Sequence, residues 1–224
     1  MSNTTLHNEN VSVTLKSLGA ELTSIKDASG TEYLWQGNPE FWSGQAPVLF
    51  PIVGCLRNGT ATIGDNKTCS FGRHGLARRL EFDLVSSSDT SITYSLKAND
   101  KTKEQYPYDF ELQMTYELTE HGVKVSHTVI NHDSVVMPYC VGGHPAFNCP
   151  VFENESFEDY IVEFEQPENA ACAQLTEDGL INNADRVSVL ENEAVIPVRH
   201  SLFYKDALVF DALKSRKVAL KHKK

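Results

Sequence analysis

Between Phe110 and Leu118 every second residue is apolar: Phe110, Leu112, Met114, Tyr116 and Leu118, with Glu111, Gln113, Thr115 and Glu117 between them. A period of two puts alternate side chains on opposite faces of an extended strand, whereas a helix would scatter the same residues around its circumference. Glu120-His121-Gly122 reads as a turn, and Val123, Val125, His127 and Val129 repeat the alternation on the way back. The pair predicts an antiparallel hairpin with one buried face and one wet face. Val11–Leu15 and Ile92–Leu96 carry shorter versions of the pattern, and Ser86-Ser87-Ser88-Asp89 reads as a hairpin tip. Helical signal is confined to a short turn at Lys101–Tyr106, stopped by Pro107. The expected class is therefore all-β, an antiparallel sandwich of many short strands. Near the C-terminus Lys214-Ser215-Arg216 reads as a turn, followed by an alternating strand from Lys217. That strand is either a lysine-protected edge or the last visible piece of a chain cut short.

A chain of 224 residues that is 41% apolar can bury a sizeable core, and sandwiches of this length often form one domain, so residues 1–224 are expected to be a single domain. A formal charge of −10 argues against a nucleic-acid partner, which needs a basic face, and gives no reason to expect an anionic membrane surface. The first ten residues are polar, without the apolar stretch of a signal peptide. Five cysteines with no C-x-x-C pair read as reduced thiols, which points to the cytoplasm. H-E-x-x-H, the P-loop, G-x-G-x-x-G and G-x-S-x-G are all missing from the sequence. His127, His132 and His144 are spaced too irregularly to argue for one metal site, so neither metal nor cofactor is expected.

Three segments gather Gly, Pro and ionisable residues in a chain otherwise made of plain strands. In Pro47–Gly59, two prolines bracket an apolar run, which excludes a central strand, and Arg57 stands beside Asn58-Gly59, a hairpin-turn signal. Arg57 is either presented to a polar ligand at a strand end or a surface arginine at a turn. In Phe71–Arg78, glycines on both sides of Arg73-His74 open unusual backbone conformations, and His74 is either functional or an ordinary exposed histidine. In Tyr139–Asn148, Gly142-Gly143 precede His144 and Pro145 follows it, forcing an irregular backbone at a strand end. Histidine titrates nearest neutrality, so His144 suits proton transfer better than any other residue type placed there.

In order and spacing, P-I-V-G-C-L-R-N-G (51–59), H-G-L-A-R (74–78) and G-G-H-P-A-F-N (142–148) resemble the aldose 1-epimerase, or mutarotase, family. The likeness is nearest to the galactose-mutarotase-related branch encoded with lactose-utilisation genes, and G-A-E-L-T-S-I (19–25) and Y-L-W-Q-G-N-P-E-F-W (33–42) extend it over essentially the whole chain. The resemblance implies a large antiparallel β-supersandwich, a free hexose such as galactose as substrate, no cofactor, and a monomer or homodimer. Arg57, with Asn58, would bind sugar hydroxyls. His74 would contact the ring-oxygen and anomeric end, and His144 would be the general acid that protonates the ring oxygen. A late-strand aspartate that binds hydroxyls matches Asp206, with Asp211 as the alternative. The base that the resemblance implies is a glutamate near the C-terminus, but no Glu follows Glu193. The expectation is thus a chain that is C-terminally incomplete, with its acid side present. Two alternatives stay open: a hexose-6-phosphate epimerase using Arg57, Arg73, Arg78 and Arg79, and a sugar-binding protein without catalysis.

Overall fold

The computed structural model describes residues 2–64 and 66–224. Its strands are β1 (Asn3–His7), β2 (Val11–Lys16), β3 (Glu21–Asp27), β4 (Val48–Leu49), β5 (Thr60–Ile63), β6 (Lys67–Ser70), β7 (Asp83–Ser87), β8 (Ser91–Lys97), β9 (Phe110–Thr119), β10 (Gly122–Asn131), β11 (Gly142–Gly143), β12 (Tyr160–Leu175), β13 (Ile181–Pro197) and β14 (Val218–His222). A single six-residue α-helix, α1 (Asp100–Gln105), falls where the sequence predicts a helical turn. Asn99 caps it, accepting a hydrogen bond from the Thr102 amide while the Thr102 hydroxyl accepts from the Asn99 amide. All named strand pairs are antiparallel, so the expected all-β class is the observed one. The chain divides into two compact units, Met1–Asn148 and Cys149–Lys224.

In the first unit, the sheets β1-β2-β3 and β10-β9-β8-β7 share one core. Leu6, Val13 and Leu15 from one sheet and Ile92, Leu112 and Met114 from the other are fully buried. Polar ties cross between the sheets: the Tyr116 hydroxyl donates to the Ala20 carbonyl (2.6 Å) and the Tyr94 hydroxyl to Thr4 Oγ1 (3.3 Å). The alternation in β9 works as its sequence predicts, with Phe110, Leu112, Met114 and Tyr116 all inside. Burying each such side chain stabilises the fold by roughly 1.5–3 kcal/mol.

Two local expectations change. Glu111, placed by its period on the wet face, is buried because its carboxylate accepts from Gln113 (2.7 Å) and Ser95 (2.8 Å). Those hydrogen bonds, Gln113 first, hold its carboxyl below the usual range. Asn58-Gly59 does form a turn with positive φ at both residues (56° and 70°), but it leads into β5 and does not close a hairpin. The β5–β6 hairpin turns only after Ile63.

The second unit is the sheet β13-β12-β14 with a small core around Phe164, Leu190 and Ile196. The strand foreseen after Lys217 is β14, an end strand paired with β12 from Tyr160↔His222 to Phe164↔Val218. The turn before it is anchored by the buried Glu168, whose carboxylate accepts from the Lys214 and Ser215 amides. No helix among the described residues is long and apolar enough to cross a membrane.

Candidate functional site

The segment from Pro47 to Gly59 is fixed in the first unit by Phe50. Its ring is fully buried among Phe110 (5.1 Å between centroids), Tyr106 (6.0 Å) and Tyr139 (6.0 Å). Its carbonyl accepts from the amides of Leu76 (2.9 Å) and Ala77 (3.2 Å). This contact carries the second sequence segment onto the first, and Gly75 makes it possible. Gly75 has φ +75°, and a Cβ there would stand 2.2 Å from the Phe50 oxygen. The third segment arrives by pairing: Gly142 and Gly143 lie opposite Leu49 and Val48, and the His144 amide donates to the Pro47 carbonyl (3.1 Å). Residues 70 apart in sequence thus meet, and the ring centroids of His74 and His144 are 5.4 Å apart, edge to face at 76°.

The two imidazoles differ in what holds them. His74 is clamped at two points by one residue: its amide donates to the Gly54 carbonyl (2.7 Å), and the Gly54 amide donates to its Nδ1 (3.0 Å). An Nδ1 that accepts cannot carry the proton, so the neutral ring bears its hydrogen on Nε2. Burial first, then the charges of His144, Arg78 and Arg73, push the His74 pKa down to about 4. At neutral pH His74 is therefore an uncharged donor. Its backbone has φ +68°, a conformation that non-glycine residues seldom adopt and that costs on the order of 1–3 kcal/mol. His144 is solvent-exposed on the other side of the pair, and its ring packs on Trp42 at 5.0 Å and 37°. Trp42 is held by its amide donating to the Asn38 carbonyl (2.8 Å) and its carbonyl accepting from Trp35 Nε1 (2.8 Å).

One neutral histidine with a fixed tautomer beside an exposed histidine open to proton exchange is an arrangement that can hold an oxygen with one ring and protonate it with the other. Arg57 lies on the 3₁₀ turn that begins three residues after Gly54; it and Asn58 are exposed. Asp206 belongs to the second unit. It is exposed at φ +73°, its carboxylate accepts from the Ala207 amide (2.7 Å), and it borders a 480 Å³ hollow with Gln174, Thr176 and Lys205. Asp211 is engaged by both terminal nitrogens of Arg186 at 2.6 and 3.0 Å, which holds its carboxyl below the usual range. Among the described residues, no three His, Cys, Asp or Glu side chains converge in a way that would hold a metal ion.

Three residues of the site hold positions whose roles the sequence motifs did not assign. Gly54 works through its backbone alone. Trp42 sits in a turn thirty-two residues before His74, although two tryptophans within Trp35–Trp42 are a signal in retrospect. Arg78 is half-buried, with Nη2 donating to the Arg73 carbonyl (3.1 Å).

Residues 2–223 match the aldose 1-epimerase family model. The plasmid-encoded protein LacX of Lactococcus lactis subsp. lactis is 43% identical over 225 residues, which span 98% of this chain and 75% of that protein. Among solved structures, a galactose mutarotase related enzyme from Lactobacillus acidophilus superposes with a TM-score of 0.92 at 32% identity, over 99% of this chain and 73% of that one. A galactose mutarotase-like protein from Lactobacillus casei gives 0.90 at 30% identity, over 99% and 76%.

Proposed function

Because the chain belongs to the aldose 1-epimerase family, we propose that it binds a free aldose at the His74–His144 pair and opens its ring by acid catalysis, so exchanging the α and β anomers. The observation that carries this reading is the inequivalence of the two histidines. A hemiacetal opens when its ring oxygen gains a proton and its anomeric hydroxyl loses one. His74, held neutral with hydrogen on Nε2, donates a hydrogen bond to the sugar without giving up a proton. His144, exposed and oriented by Trp42, supplies the proton to the ring oxygen. Arg57 and Asn58, on the exposed 3₁₀ turn, bind hydroxyls of the sugar. After opening, rotation about the first carbon–carbon bond and reclosure on the other face give the second anomer.

The anomeric proton passes to water, because His74 is held as a donor and His144 gives up its own proton. A positioned base contributes on the order of 10²–10⁴-fold, so these 224 residues are expected to bind aldoses well and turn them over slowly. Galactose heads the candidates because the Lactobacillus neighbours are described as galactose mutarotase relatives. The test is an NMR titration with galactose, glucose and a non-sugar polyol such as glycerol. Ring signals of His74 and His144 that move with an aldose and not with glycerol support the reading. Ring signals that no aldose moves overturn it.

A further inference from the structure

We propose that Trp35 and Gly44 are positioning residues for His144, acting through the ring of Trp42 to hold the proton-donating imidazole in place; this rests on the aldose reading above. Trp35 belongs to Y-L-W-Q-G-N-P-E-F-W (33–42) and Gly44 follows it, a stretch that supplies no group to the chemistry. Trp35 grips both sides of the contact between Trp42 and His144. Its indole Nε1 donates to the Trp42 carbonyl (2.8 Å), and its amide donates to the carbonyl of Ala146, two residues beyond His144 (2.9 Å). The Ala146 amide donates in turn to the Gln45 carbonyl (2.9 Å), and the His144 amide to the Pro47 carbonyl (3.1 Å). The loop that carries Trp42 and the strand end that carries His144 are thus tied together on either side of the ring contact.

The loop itself is anchored. The buried Glu21 accepts from the Gln45 and Ala46 amides through Oε1 (2.9 Å each), and Gln45 Nε2 donates to the Thr23 carbonyl on β3 (2.7 Å). At the other end the Asn38 carbonyl takes the Phe41 and Trp42 amides, and its side-chain oxygen takes the Glu40 amide (2.9 Å). On this frame the indole lies directly against Gly44. A Cβ at Gly44 would stand 2.5 Å from Cζ2, 2.7 Å from Cε2 and 3.0 Å from Cη2 of Trp42, and no other atom is nearer. Gly44 lies outside the left-handed region, so alanine there meets the indole without backbone strain. To regain ordinary contact at 3.4 Å the ring must move by about 1 Å, and a displacement of that size in a reacting group can cost about 10²-fold in rate. His144 feels the movement because its ring is exposed to solvent and rests on Trp42, and an exposed side chain without such a support exchanges rotamers freely.

The experiment follows the His144 ring signals by NMR, and the mutarotation of α-galactose and α-glucose by polarimetry, in the wild-type chain, Gly44→Ala, Trp35→Phe, Trp42→Ala and the double variant Gly44→Ala/Trp42→Ala. The ring current of the indole marks the His144 ring protons, so Gly44→Ala and Trp35→Phe should move those signals toward their positions in Trp42→Ala. Each should lower kcat roughly tenfold or more and leave the aldose Kd within about twofold, because proton delivery is misaligned while the hydroxyl contacts at Arg57 and Asn58 persist. In the Trp42→Ala background, Gly44→Ala should change neither quantity further, since no indole is left to displace. Trp35→Phe keeps an aromatic ring and removes the N–H, and it carries the test if Gly44→Ala does not fold. His144 signals that stay in place in both single variants overturn the inference. So does an unchanged kcat, or a loss from Gly44→Ala that is as large without Trp42 as with it. A wild-type chain that accelerates neither sugar overturns the aldose reading instead, and the His144 signals then decide the positioning of the ring by themselves.

Discussion

Substituting Gly75 by alanine should disrupt the site through backbone packing alone. The added methyl carbon would stand 2.2 Å from the Phe50 carbonyl oxygen and 2.6 Å from its carbon, both backbone atoms that no rotamer change can move aside. Alanine at φ +75° adds about 1–2 kcal/mol of left-handed strain. Relieving the clash separates the Phe50 carbonyl from the Leu76 and Ala77 amides, at about 1 kcal/mol for each hydrogen bond weakened. The sum is roughly 3–4 kcal/mol, which for a chain of this size lowers the melting temperature by about 6–16 °C. His74 is the next residue, so its clamp to Gly54 loosens at the same time. A displacement near 1 Å in a reacting group can cost about 10²-fold in rate. Differential scanning calorimetry and the His74 ring signals report the two effects independently. Gly75→Ala that melts within about 1 °C of the wild type, with the Gly54 amide still bonded to His74 Nδ1, would refute the packing argument.

Other outcomes follow from the same geometry. The His74 ring should titrate near pH 4 in a ¹H–¹⁵N NMR titration, against 6.5 for an ordinary histidine. Its folded-state pKa lies below the unfolded one, so the folded state resists protonation there. The contribution is fully present above about pH 6.5 and is lost as pH falls toward 4, which acid-dependent melting of the wild type and His74→Asn will show as a difference. Met114→Ala, at a fully buried position of β9, should cost about 2–5 kcal/mol in urea unfolding, whereas Thr115→Ala on the opposite face should cost much less. Glu168→Gln should raise amide exchange at Lys214 and Ser215 ahead of the rest of the second unit, because their amides donate to that carboxylate.

The strands were legible because burial demands their period. In β9 four of the five apolar residues that the alternation names are buried and Leu118 is half-buried, and β14 starts one residue after the first lysine of its pattern. The same rule misplaces Glu111, since period two reports which face a residue occupies but not whether neighbours will satisfy a carboxylate there. At the site, the glycines and prolines around His74 and His144 marked irregular backbone, and that backbone brings the two rings together. Local reading of residues 57–59 gave a hairpin, because Asn-Gly chemistry fixes positive φ but not which strands follow. The roles of Gly54, Trp42 and Arg78 were not legible because they depend on how the folded segments meet: an amide that sets a tautomer, a ring that backs His144, and a guanidinium that holds a loop.

Polarimetry of freshly dissolved α-galactose and α-glucose tests the central claim most directly, with the protein at high concentration and buffer as the reference. The account predicts a relaxation faster than buffer in proportion to protein for at least one sugar. His144→Gln should return that rate to the buffer value while the sugar still shifts the His74 ring signals. A wild-type chain that leaves both relaxations at the buffer rate, or a His144→Gln variant as fast as the wild type, would contradict it.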